Sequence, residues 1–555
     1  MSNGSTSREH WSGGLGFILA AAGSAIGLGN IWKFPYITGE NGGGAFVLVY
    51  LICIAVIGVP VMICEITLGR HTQRNPVGAF KALNPPASRL SHLIGLCVVL
   101  LAFFLLAFRQ WGWGVVALLL GLAIFRFSWT LVGVMGVLSG FCILAFYSVV
   151  AGWTLGYIIK AATGQLVFPD VAAAGTSFGL FIEDPRWAIG CHAGFMLLCV
   201  LIVYRGVRAG IERWSKILMP VLFLLMVALI VRGITLPGAM EGVRFYLSPD
   251  FSKISANSIL IALGHAFFSL SLGMGAIITY GSYIEKEENI FVSTLSVVVL
   301  DTLIALMAGL ALFPAVFATG FAPDAGPGLV FQVLPVVFSH IPFGALWATL
   351  FFFLLLIAAL TSGISLLEVV TAYFVDERKW PRHQAAVVFG LVIFLLGSLC
   401  AVSITGWHNL PELHGLLVGA FGKVKGSFFD VLDDLASNWM LPLGGLFISI
   451  FVGWIWGTKK AIDEIRHGSH NFADVHLVAL LAGLKDDPSH NDPRHVVTLA
   501  SVWGIFIRFI SPVAVMIAFL NTIGWLDLTG KKKAPPPPPP AIEQVEQTET
   551  SNVQH

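Results

Sequence analysis

Two stretches of this sequence place flexible backbone and polar groups inside apolar runs. One is Gly23-Ser24-Ala25-Ile26-Gly27-Leu28-Gly29-Asn30, and the other is Ser269-Leu270-Ser271-Leu272-Gly273-Met274-Gly275. Glycine weakens a helix and releases backbone carbonyls. Such backbone is tolerated at membrane depth only where it is buried or lines a cavity. Close packing through small residues would also explain one such cluster. A matched pair with polar residues at both breaks favours a transport site between them. Charges are also stranded in apolar runs at Lys33, Glu65, Asp301 and Glu368. A carboxylate at a helix centre in a bilayer costs roughly 2.5–3.5 kcal/mol, so Asp301 must face a polar interior and have a partner, unless it is a helix-end carboxylate. Enzyme chemistry has no support, since there is no nucleophile triad, P-loop or dinucleotide motif. The seven cysteines lack paired ligand spacing, which suggests neither disulfides nor zinc. His467, His470, His476, His490 and His495 are scattered through a polar loop and read as solvated side chains rather than a metal site.

The elements that must position these groups follow from composition. Of 555 residues, 56% are hydrophobic and only 11% charged, with a formal net charge of +1. Soluble domains carry about 25% charged residues, so this is a polytopic all-α membrane protein, and its net charge offers nothing to nucleic acid. Eleven spans are expected, near 13–37, 44–69, 131–160, 190–204, 215–233, 256–284, 291–319, 342–375, 384–405, 438–457 and 498–524. An extra apolar block at about 91–127, split by Arg109 and Gln110, reads as a hairpin or surface-lying insert. With the N-terminus in the cytoplasm, Arg70, Arg74, Arg205, Arg208, Arg378, Lys379, Lys459 and Lys460 fall inside, which fits the positive-inside rule. That topology puts the tail outside, although Lys531, Lys532 and Lys533 would prefer the cytoplasm. The tail from 525, with its run of prolines, reads as disordered. Arg508, within the last span, would pair with a neighbouring helix or a lipid headgroup. The two broken segments lie five spans apart, which suggests inverted repeats over 13–233 and 256–457. Around them lie an N-terminal segment 1–12, a cytoplasmic loop 458–497 and an eleventh helix at 498–524.

Longer motifs carry a family resemblance. Arg8-Glu9-His10-Trp11, GSAIGLGNIWKFPY from Gly23, ENGGGAF from Glu40, AFYSVVAGWTLGY from Ala145, FFSLSLGMGAIITYGSY from Phe267 and AALTSGISLLE from Ala358 closely resemble bacterial neurotransmitter:sodium symporters. The resemblance spans about residues 8–524, lapses in the insert and tail, and lacks the twelfth helix common in the family. It implies the leucine-transporter fold, a bacterial inner-membrane location and Na+-coupled amino-acid symport by alternating access. A sensor or a Na+-independent exchanger of the same fold is the alternative.

The resemblance also implies roles. One Na+ site falls on Ala25, Asn30, Ser269 and Asp301; the second falls on Gly23, Ile26, Ala358, Thr361 and Ser362. On chemistry alone, Thr361 and Ser362 could instead bond back to their own helix. Chloride-dependent relatives hold an anion beside a Ser, a Tyr and a Gln. Here the Gln position is His265 and the Ser position is Ala305, so Asp301 is expected to supply the negative charge and chloride not to be required. Proton return through Asp301 or Glu368 is a further expectation. Monoamine carriers have an Asp where this chain has Gly27, which leaves room for a substrate bringing its own carboxylate. Ala25, Gly29, Tyr147 and Ser362 would hold the amino-acid backbone, with Ile143, Phe268, Ser271, Met274 and Leu366 around an apolar or aromatic side chain. An outer gate would pair Lys33 with Asp434 through water, and an inner gate would pair Arg8 with Asp376, supported by Tyr283 and Trp11. Glu65 is expected to hold the unwound backbone of the first segment. Oligomeric state is not legible.

Overall fold

A computed structural model describes residues 9–84, 129–321, 328–406, 427–469, 472, 497–523 and 525–526. Arg8, the 91–127 insert, the tail beyond 526, and His470, His476, His490 and His495 lie outside the described residues.

Every regular element among the described residues is helical, and all eleven expected segments are helices. They are α1 (Gly14–Ala25 with Gly29–Glu40, bent by 50°), α2 (Gly44–Thr72), α3 (Thr130–Ala162), α4 (Pro185–Tyr204), α5 (Val207–Ile234), α6 (Ala256–Ser269 with Ala276–Gly281), α7 (Ile290–Ala318), α8 (Gly344–Arg378), α9 (Arg382–Gly406), α10 (Phe428–Ile455) and α11 (Leu499–Thr522). Among the described residues, nine continuous helices are long and apolar enough to cross a bilayer, and the bent α1 pair makes ten. The protein is an integral membrane protein. Helix α10 begins at Phe428, ten residues before the expected 438, because Asp430, Asp433, Asp434 and Ser437 dilute the apolar signal of its first turns while Ser427 caps it.

Helix α8 is the axis. Its most apolar window is 89% buried, whereas those of α5, α9 and α11 are 33% buried and keep a lipid face. It packs against α1, α3, α4, α5 and α9. The α6 break depends on its glycines, since Gly273 and Gly275 have φ of +79° and +76°. A Cβ on Gly273 would lie 2.4 Å from the Leu441 carbonyl oxygen, and one on Gly444 would lie 2.4 Å from the Gly273 carbonyl oxygen. The α6 break and α10 therefore meet backbone to backbone.

Candidate functional site

The α1 helix stops because Ile26 turns to an extended conformation (ψ 100°), which releases the carbonyls of Gly23, Ser24 and Ile26 and the N–H groups of Gly27 and Leu28 from the helical pattern. Other elements supply them. The Gly27 N–H donates to Asn30 Oδ1 at 3.1 Å and the Leu28 N–H to the Tyr147 hydroxyl of α3 at 3.2 Å. On the carbonyl side, Ser362 Oγ of α8 donates to the Ser24 oxygen at 2.9 Å, with the oxygens of Ile26 and Gly23 at 3.3 and 3.4 Å. Ser271, left-handed at φ +54° in the α6 break, also donates to the Ser24 oxygen, at 2.9 Å. Thr361 Oγ1 bonds back to Ala358 at 3.0 Å and reaches the Ile26 oxygen at 3.5 Å. Thr361 thus bonds back to its own helix while its hydroxyl faces a released carbonyl of α1. Gly23, Ile26, Ala358, Thr361 and Ser362 gather their oxygens at this one junction of α1 and α8.

Asp301 of α7 is fully buried with polar partners, so it is no helix-end carboxylate. Asn30 Nδ2 donates to its Oδ1 at 2.7 Å, and Ser269 Oγ donates to its Oδ2 at 2.9 Å. Tyr50 of α2 in turn donates to Ser269 Oγ at 3.1 Å. His265 lies beside this group, stacked on Phe34 at 5.6 Å and tilted on Tyr50 at 5.4 Å, and neither ring nitrogen has a hydrogen-bond partner among the described residues. Ala305, one turn along α7 from Asp301, is buried and has no hydroxyl to offer.

Beside the junction of α1 and α8 lies a cavity of about 30 Å³. Ala25, Gly29, Ile143, Tyr147, Phe268, Ser271, Met274, Ser362 and Leu366 all line it, together with Ser24, Gly27, Leu28 and Ser365. Ser24 and Ser365, which sequence reasoning missed, share a 2.7 Å hydrogen bond. Their signal was present: both are hydroxyls one helical step from residues already singled out. Phe268 also lines a second cavity of about 730 Å³ on the other side, so its ring is the wall between the two. Lys33 and Asp434 both border that larger vestibule but share no direct ion pair. Lys33 Nζ sits 4.8 Å from the centroid of the Phe268 ring, and Asp434 accepts from Asn438 at 2.8 Å.

At the opposite end, Trp11 donates from its indole to the Tyr280 carbonyl at 3.0 Å and from its backbone to Tyr283 at 3.1 Å. The Tyr283 hydroxyl donates to Glu368 Oε1 at 2.6 Å, and Glu368 Oε2 is paired with Arg382. Glu368 is therefore a paired structural charge with two partners already in place. Asp376 accepts from the Asn75 backbone and side chain at 3.0 and 3.2 Å. Glu65 corrects an expectation. Its carboxylate accepts from the Gly273 N–H at 2.7 Å and so holds the break of α6, not that of α1. The reason is packing: α2 runs along the second half of α6, where a Cβ on Gly69 would lie 2.2 Å from the Ile278 carbonyl. Sequence reasoning also missed Arg382 and the buried Arg70, which donates to Glu464 at 2.9 Å and to the carbonyls of Glu288 and His467. The signal for both was an arginine abutting the end of an apolar run.

Comparison with known proteins bears on what this arrangement serves. A family model described as the sodium:neurotransmitter symporter family matches residues 8–120 and 183–479. The sodium-dependent transporter YhdH of Bacillus subtilis is 39% identical over 518 residues, covering 93% of this chain and 98% of that one. A sodium-dependent transporter of Haemophilus influenzae is 34% identical over 534 residues, covering 94% and 100% respectively. Among solved structures, that of MhsT in complex with L-phenylalanine matches with a TM-score of 0.72 at 41% identity, covering 93% of this chain and 100% of that one.

Proposed function

The chain belongs to the sodium:neurotransmitter symporter family and has the leucine-transporter fold, and on that premise we propose that it couples inward Na+ movement to uptake of an apolar or aromatic amino acid, without chloride. The observation that carries this reading is the seam where the α8 hydroxyls of Thr361 and Ser362 meet the released carbonyls of α1. Oxygens of Gly23, Ile26, Ala358, Thr361 and Ser362 hold one Na+. Ala25, Asn30, Ser269 and Asp301 hold the other, and the substrate carboxylate completes its shell, so ion and substrate bind jointly.

The amino-acid backbone lies along the α1 break, with Tyr147 turning its hydroxyl to the carboxylate and Ser362 among the acceptors for the amine. The L-phenylalanine bound to MhsT supports this substrate class. Ile143, Met274 and Leu366 surround the side chain, and the unbranched thioether of Met274 adapts to its shape. Phe268, which lines both this cavity and the vestibule, is the side chain that moves aside for loading. Lys33 and Asp434 close the outer side; Trp11, Tyr283 and Asp376, with Arg8, close the inner side. The inverted repeats 13–233 and 256–457 rock about the site, and the N-terminus is cytoplasmic in a bacterial inner membrane. Asp301 supplies the charge that chloride supplies elsewhere, which fits the lack of a hydroxyl at Ala305.

Proteoliposomes loaded without Na+ and offered labelled amino acids test this. Accumulation above equilibrium only under an inward Na+ gradient is expected. Accumulation indifferent to Na+, as in an exchanger, or saturable binding without accumulation, as in a sensor, would sink it.

A further inference from the structure

Arg508 stands on the lipid-facing side of a membrane helix, where an unshielded guanidinium should not rest. The π turn Phe506–Ile510 of α11 faces the π turn Phe451–Ile455 of α10, and the two are tied reciprocally. Arg508 Nε donates to the Gly453 carbonyl at 3.1 Å, and Trp454 Nε1 donates to the Arg508 carbonyl at 3.0 Å. The guanidinium lies 5.8 Å from the centroid of the Trp454 ring. These contacts fix the side chain but use only one of its five N–H donors. Neither terminal nitrogen has a hydrogen bond or ion pair among the described residues.

The surroundings select what would satisfy them. Gly453 is two residues from the end of α10, so the guanidinium is held at the level of the last turn of that helix. Trp454 and Phe509 are 56% and 53% exposed and meet edge to face at 5.4 Å, as expected of interfacial aromatics. Ile505 and Val513 are 55% and 58% exposed along the same helix, giving an apolar surface beside a fixed cation. The helix Thr458–Arg466 that follows α10 exposes Lys459 and Lys460 at this same end. A forked donor beside an acyl-chain surface matches a lipid phosphate, whereas a free phosphate would leave the apolar surface unused.

We propose that Arg508 and Trp454 form a binding site for an anionic phospholipid, its phosphate on the terminal guanidinium nitrogens and its acyl chain along Phe509 and Val513. Native mass spectrometry of the full chain in micelles, titrated with phosphatidylglycerol, tests it. Arg508→Gln should weaken binding about tenfold or more, the scale of a lost charge-assisted hydrogen bond. Arg508→Lys should be intermediate, because Lys lacks the fork. Inorganic phosphate at matched concentration should not compete. Equal phosphatidylglycerol affinity in wild type and Arg508→Gln, or displacement by inorganic phosphate, would overturn the proposal. Should Arg508→Gln fail to fold, Arg508→Lys decides: its phosphatidylglycerol affinity should fall, and an affinity equal to wild type would refute the site.

Discussion

Replacing Gly27 by Ala puts one methyl group where the α1 break, α3 and α8 converge. The new Cβ would lie 2.6 Å from Ser362 Oγ and 3.0 Å from the Tyr147 hydroxyl. Against an ordinary contact of 3.4 Å, the Ser362 hydroxyl must retreat by about 0.8 Å. It cannot do so and keep its 2.9 Å bond to the Ser24 carbonyl or its approach to Ile26. Losing that buried hydroxyl's partners is worth about 1–3 kcal/mol, or one to two decades in an equilibrium constant. Sodium titrations of purified protein, read by Na+-dependent binding of labelled amino acid, should show apparent Na+ affinity falling roughly ten- to a hundredfold. The double variant Gly27→Ala/Ser362→Ala is the sharper comparison, because without the hydroxyl the methyl group meets less. Its loss should be smaller than the two single losses combined, by about 1 kcal/mol or more. Additive losses, or a Gly27→Ala protein that binds Na+ like wild type, would refute the geometry.

Three further outcomes are expected. Asp301→Ala should make uptake depend on external chloride, and unchanged ion requirements in chloride-free medium would discard its charge role. Arg382→Met strands Glu368, which is fully buried, and should cost about 3–5 kcal/mol; thermal unfolding should show Glu368→Gln/Arg382→Met recovering part of it, and an equally unstable double variant would speak against the pair. Burial alone would raise the Glu464 carboxyl, but hydrogen bonding to His71 and the Arg70 guanidinium outweigh it and hold it below the usual carboxylate range. With the native value depressed, this stabilisation is full above the unfolded value of about 4.3 and is lost as pH falls through the native one. Melting temperatures should therefore drop more steeply below about pH 4.3 in wild type than in Glu464→Gln, and parallel profiles would exclude the linkage.

What the sequence disclosed here was what is written locally. The two breaks could be read because glycine, hydroxyl and amide stand within a few residues of one another, and the cavity between them is lined by all nine residues expected at it. Asp301 could be read because a carboxylate in an apolar run demands a partner. What stayed hidden were choices among distant partners. Glu65 had two broken helices to hold, and only the course of α2 along α6 decides for Gly273. Arg382 looked like an interfacial cation until the turn between α8 and α9 brought it onto Glu368. The start of α10 was obscured for a different reason: its first turns border the vestibule, so their polarity resembles that of a loop.

The contact of Gly273 with Gly444 and Leu441 is a joint without a cushion. Elsewhere in a packed interior a displaced helix is absorbed by side chains changing rotamer, whereas here peptide planes touch directly and nothing lies between them to yield. A shift of the α6 break would bear directly on the backbone of α10. Because α10 carries Asp434 at the rim of the vestibule, that rim and the backbone beside the site share one backbone-to-backbone joint.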